Sequence, residues 1–135
     1  QALQGVVKDE IKLFVQPTFY YNRYTMPRRS QEVLRQLSAF LLLSPHLGRV
    51  QVEITPIVRR QTSRYYRSYG SSSWLHKRRV RALRRYLARY GVPSSRLQFK
   101  VMPSKVKPYA SRYVQPKIVF RLLESKASKT GRSST

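Results

Sequence analysis

Residues able to carry proton or electron-pair chemistry are scarce in this chain. Its carboxylates are Asp9, Glu10, Glu32, Glu53 and Glu124, its histidines are His46 and His76, and it has no cysteine. Glycoside cleavage needs two carboxyl groups facing each other across a sugar bond. Asp9 and Glu10 are sequence neighbours and Glu124 sits in a polar tail, so such a pair would have to come from Glu32 and Glu53 or a more distant combination. A hard cation needs several oxygen ligands, and no acidic cluster supplies them. Neither histidine has an acidic partner nearby in sequence to orient its ring, so each reads as a surface or loop histidine rather than a general base. The lack of cysteine excludes a disulfide framework, a cysteine-bearing zinc site and a thiol nucleophile. The expected protein is not an enzyme, and no cofactor or metal is expected.

The positive side of the chain offers more. Lys plus Arg number 28 against 5 acids, giving +23. Such a balance calls for an anionic partner: nucleic acid, lipid head groups or an acidic protein. Two segments concentrate it. Arg59, Arg60, Arg64 and Arg67 interleave with Tyr65, Tyr66 and Tyr69, a mix that suits protein interfaces and single-stranded nucleic acid alike. Lys77, Arg78, Arg81, Arg84, Arg85 and Arg89 then follow with no acid among them. Like charges three and four apart weaken a helix, so this run exceeds what solubility requires. Both segments together are the candidate docking surface.

The elements that would position these residues follow from hydrophobic period. Ile11, Leu13 and Val15 alternate with Lys12 and Phe14 and predict a strand in 11–21, limited by Pro17. Leu34, Leu37 and Leu41 recur at helical spacing and predict a helix over 30–43, with Ser30 as N-cap, Glu32 in the first turn, and Pro45 beyond the end. Val50, Val52 and Ile54 alternate with Arg49, Gln51 and Glu53, the clearest strand. Residues 58–73 read as a loop or insertion. Val80, Leu83, Leu87 and Tyr90 predict a helix over 74–90, with Trp74 as a packed anchor at its start and Gly91 as its C′ residue. Strands are expected at 97–101 and 117–122, with a loop-like stretch over 103–116 between them. Residues 124–135 hold one Ala and no larger apolar residue, which predicts a disordered basic tail. The fold class is α/β (α+β): a two-layer sandwich in the order β-α-β-α-β-β, two helices on one face of a mixed sheet, with residues 1–123 as one domain.

These residues resemble the OmpA-like C-terminal domain, the peptidoglycan-associated fold. The likeness runs over about residues 11–122 and is strongest in the second half: Leu75, His76, Arg79 and Val80, then Tyr86-Leu87, Gly91-Val92 and Arg96-Leu97. Ser104 and Pro108 are faint remains of a later family segment, and the family's closing Asn-Arg-Arg-Val-x-Ile falls on Gln115 to Phe120. The resemblance implies a ligand grip in which an Asp after the second strand and the helix Arg hold the diaminopimelate end of a stem peptide. Here Ile54-Thr55-Pro56-Ile57 replaces the family's Gly-His-Thr-Asp, so the Asp position is Ile57. Isoleucine can neither accept hydrogen bonds nor balance charge. The remains of the site would be Arg79, Ile57, Thr55 and Lys117. The resemblance therefore implies the scaffold, with the usual peptidoglycan grip lost or altered.

Two function classes follow. One is a structural or adaptor protein of the bacterial cell envelope, a subunit of a secretion or conjugation machine or of a flagellar motor. Its partners would be other envelope proteins, with peptidoglycan or anionic head groups as further ligands, and its place the periplasm or the outer membrane. The chain starts at Gln1 without Met, as a form with its signal sequence removed would, although a trimmed boundary looks the same. The alternative is a basic nucleic-acid-binding protein of ribosomal type in the cytoplasm. The longest apolar run is Ala39 to Leu43, too short for a transmembrane segment.

Overall fold

In the computed structural model, residues 2–21, 23–56, 58–59, 72–103, 106–107 and 115–123 are described, with 58–59, 72–73 and 106–107 described by their backbone alone. The chain opens with a hairpin of β1 (Leu3–Val7) and β2 (Glu10–Leu13), antiparallel to each other. Lys8 and Asp9 turn it, with φ of 50° and 70°, because a turn with both central residues at positive φ matches the twist of the flanking strands. β1 was not expected: it buries only Leu3 and shows no alternation for a period-two reading to find. The strand expected in 11–21 ends at Leu13, short of Pro17, which has no N–H to give to a ladder.

α1 (Arg28–Leu42) buries Val33, Leu34, Leu37 and Leu41, the stripe read from the sequence. Its start differs. Pro27 is the N-cap residue and no side chain caps the helix, so neither Ser30 nor Glu32 has its expected role. Ser30 instead lies inside the first turn, where its Oγ accepts the Thr18 N–H at 2.8 Å. The helix end is closed from a distance. The Arg96 guanidinium donates to the carbonyls of Leu41 (2.7 Å), Gly48 (2.8 Å) and Ser44 (3.3 Å), tying the last turn of α1 to the chain that follows it. A short 3-10 turn, Pro45–Leu47, leads on to β3 (Val50–Thr55).

β4 (Val58–Arg59) pairs in parallel with β6 (Val106–Lys107), a small separate ladder within two stretches read as loops. α2 (Ser72–Arg89) starts two residues before the expected boundary. Its end is as read: Gly91, at φ 104°, donates to Ala88 O and Val92 donates to Leu87 O at 2.9 Å, the paired bonds of a Schellman closure. β5 (Leu97–Val101) and β7 (Lys117–Leu122) follow as expected.

The main sheet runs β1-β2-β7-β3-β5. Only β3 and β5 are parallel, joined through α2; the other pairs are antiparallel. Val50, Val52 and Ile54 of β3 and Ile118, Phe120 and Leu122 of β7 pack with Leu34, Leu37 and Leu41 of α1 and Leu83 and Leu87 of α2 in one buried cluster. Burying each such side chain contributes about 1.5–3 kcal/mol. Two helices on a mixed five-stranded open sheet make an α+β fold. The alternate residues of β3 and β7 face the other way, and there Glu53 accepts from Arg121 Nε at 2.9 Å and from Gln51 Nε2 at 2.8 Å.

Candidate functional site

The chemistry-bearing residues are distributed unevenly over this frame. Glu10 and Glu53, on neighbouring strands of β7, both engage Arg121, at 3.7 and 2.9 Å, and Glu10 also meets Lys12 at 3.2 Å. Two carboxylates do converge, then, but on a guanidinium set between them. The Glu53 hydrogen bond, and then the charges of Glu53, Glu10 and Asp9, hold Arg121 above its ordinary pKa, against the opposing effect of burial. Glu32 lies on the exposed side of α1, where Arg35, and then Gln36, hold it down at about 2 by hydrogen bonding. It does not meet Glu53, which points away from the helix layer. His46 is exposed in the Pro45–Leu47 turn. His76 is half-buried on α2, and burial, followed by the charge of Arg79, keeps its imidazole below the usual value. Among the described residues no group of His, Cys, Asp and Glu could hold a metal ion, and no helix is long and apolar enough to cross a membrane.

Of the positions that resemble a stem-peptide grip, Thr55 and Lys117 are register partners at one end of the β3–β7 ladder. Ile57 lies outside the described residues. Arg79 is where helix spacing puts it, one turn from Leu75 and from Leu83 on the inward side of α2, and it is only 8% exposed. Its Nε donates to the Arg23 carbonyl at 2.9 Å, an Nη2 contact reaches the Tyr20 carbonyl at 3.5 Å, and its guanidinium lies 4.9 Å from the centroid of the buried Phe19 ring. Gln115, at the Asn position of the family's closing motif, accepts the Phe19 N–H at 2.8 Å and donates to the Phe19 carbonyl at 3.0 Å. Both side chains thus hold the main chain of the β2–α1 connection. Beside it, a hollow of about 390 Å³ is lined by residues that include Gln16, Thr18, Gln115 and Lys117.

The candidate docking surface divides in two. Arg60, Arg64, Tyr65, Tyr66, Arg67 and Tyr69 lie outside the described residues, as does the tail over 124–135, and Arg59 is described only by its place in β4. Lys77, Arg78, Arg81, Arg84, Arg85 and Arg89 are all exposed on α2, a helix without an acid in its first turn. Trp74 is not the packed anchor expected of it. It is 45% exposed, and Arg78 sits over its ring at 5.3 Å and over the Tyr24 ring at 5.8 Å. Arg84 lies over Phe99 at 4.9 Å and Arg89 over Tyr86 at 5.8 Å. The i, i+4 spacing of Trp74 and Arg78 was a readable signal for the first stack. The roles of Phe19, Tyr24 and Gln115 had none, since their partners lie far off in sequence.

Comparison with known proteins agrees with this architecture. No family model matches the chain, and a search of curated proteins gives no match. Solved structures do. The OmpA-like domain of FopA1 from Francisella tularensis superposes with a TM-score of 0.60 at 16% identity, over 85% of this chain and 75% of that one. The C-terminal domain of Helicobacter pylori MotB gives 0.54 at 18% identity, over 85% and 91%. The peptidoglycan-associated lipoprotein from Burkholderia pseudomallei gives 0.51 at 21% identity, over 79% and 91%. With its helices on a mixed sheet in the order described, the chain has the fold of the OmpA-like C-terminal domain.

Proposed function

We propose that the chain is a non-enzymatic structural or adaptor domain of the bacterial cell envelope, a subunit of an envelope-spanning assembly such as a secretion or conjugation machine or a flagellar motor, whose peptidoglycan grip is lost or altered. The observation that carries the proposal is Arg79. On the sequence resemblance it falls at the family's ligand-binding arginine, on a fold shared with a peptidoglycan-associated lipoprotein and with MotB, yet it is buried and hydrogen-bonded to backbone carbonyls. A buried guanidinium that already spends Nε and Nη2 inside the fold has fewer N–H groups and little access to offer a ligand carboxylate. On the same resemblance the Asp position is Ile57, which would remove the partner for the ligand's ammonium group.

Co-sedimentation with isolated diaminopimelate-type peptidoglycan tests the loss. The protein is expected to stay in the supernatant at physiological salt. Pelleting that a free diaminopimelate-containing stem peptide reverses would overturn it. Fractionation of cells producing the native gene tests the location, with the protein expected in the periplasmic or outer-membrane fraction. Recovery with ribosomes would instead favour the second reading, a nucleic-acid-binding protein, which the net charge of +23 supports.

A further inference from the structure

We infer that the outer edge of α2, together with Tyr24, is a preorganised docking site for an acidic peptide segment of a partner protein, with the Trp74–Arg78–Tyr24 stack as its anchor. Trp74, Arg78, Arg81, Arg85 and Arg89 follow one another at steps of three and four along α2, so they share an edge about 22 Å long at 1.5 Å per residue. All are exposed. Like charges at these spacings repel, and cations in the first turns also oppose the helix dipole. An anionic partner relieves both costs.

The stack decides which anion fits. The Arg78 guanidinium carbon lies 5.3 Å from the Trp74 ring centroid and 5.8 Å from that of Tyr24, and its fork of N–H groups suits a planar bidentate acceptor. The rings in turn give Arg78 a face that a stacked nucleobase would need. Both aromatic side chains stay accessible beside Arg78, with Trp74 at 45% and Tyr24 at 37% exposure. Carboxylates interspersed with apolar side chains satisfy both parts, and Trp, Tyr and Arg are the residues that dominate binding at protein interfaces. Two arginines elsewhere are already paired with acids. Glu10 and Glu53 occupy Arg121 on the opposite sheet face, and Glu32 occupies Arg35 on α1.

Arg79 positions this site from within the fold. Through the Tyr20 and Arg23 carbonyls it fixes the segment that brings Tyr24 to Arg78. One residue looks inward to hold the loop while its neighbour looks outward to use it.

The test uses the whole chain in vitro, so its result does not depend on where the protein resides in the cell. The probe is a labelled peptide of about ten residues alternating Glu and Leu, long enough to run the edge at roughly 3.3 Å per residue. Binding is expected at low salt and should weaken as salt rises. Trp74→Ala and Arg78→Gln should each reduce affinity about tenfold. Arg78→Lys, which keeps the charge and loses the flat fork, should reduce it severalfold. Arg35→Gln, equal in charge change but off the edge, should stay within about twofold, and circular dichroism should match wild type for every variant. No peptide binding, or equal loss with Arg35→Gln and Arg78→Gln, overturns the proposal. So does tighter binding of oligothymidylate or of phosphatidylglycerol vesicles with the same dependence on Trp74 and Arg78.

Discussion

Arg79 and Gln115 grip one short segment from distant parts of the chain. Arg79 takes the carbonyl of Arg23, and Gln115 takes both backbone groups of Phe19. The connection from β2 to α1 lacks a ladder of its own over 16–20, so these side chains supply the backbone partners that a strand would otherwise provide. Replacing Arg79 with Ala should cost about 2 kcal/mol, because a charge-assisted bond is lost and the Arg23 carbonyl is left without its donor. Gln115→Ala should cost about 1–2 kcal/mol for the same reason. Urea midpoints at unchanged slope would show it, and no loss for either would mean the segment is held otherwise.

At the end of α2, Gly91 holds φ at 104°, and a Cβ there would come within 2.9 Å of Leu42 Cδ1. Leu42 is 47% exposed, so its side chain can swing away. The backbone angle cannot relax as easily. Gly91→Ala should therefore lower stability by about 1–2 kcal/mol. It should cost nearly as much in a Leu42→Ala background, a comparison that separates strain from collision.

On the sheet face turned away from the helices, Glu53 is buried beside a half-exposed Arg121. Solvent around Arg121 screens the pair, so a double-mutant cycle with Glu53→Gln and Arg121→Gln should return a coupling of about 1 kcal/mol, well under a fully buried ion pair. Raising the salt should shrink it only partly, since Glu53 itself is shielded from solvent.

His76 makes stability depend on pH. Burial, and then Arg79, depress its folded pKa below 6.5, so the unfolded chain binds the proton more readily. The stabilisation this provides is complete above pH 6.5 and is lost as pH falls through the folded value. Melting temperature should drop on acidification below 6.5, and His76→Gln should flatten that part of the curve. An unchanged slope in the variant would assign the pH dependence to other groups.

Local sequence alone determined a good deal here. The periods of Val50–Ile54 and Ile118–Leu122 marked the central strands, the Leu34–Leu41 and Val80–Leu87 stripes marked the buried helix faces, and Gly91 marked a helix end. These signals depend on neighbours a few residues away, and the core packs as they require. The start of α1 was misread because Ser30, a good cap in isolation, accepts instead from Thr18, which only the folded chain brings near. β1 escaped because a strand at the sheet's edge buries one residue and needs no alternation. The +23 charge was plain from composition, but its arrangement was not. The tertiary structure decided that Glu10 and Glu53 would share Arg121, that Arg79 would turn inward to the Tyr20–Arg23 carbonyls, and that Arg78 would meet both Trp74 and Tyr24. Each joins residues far apart along the chain, and their partners are chosen by which surfaces the core brings together rather than by spacing in the sequence.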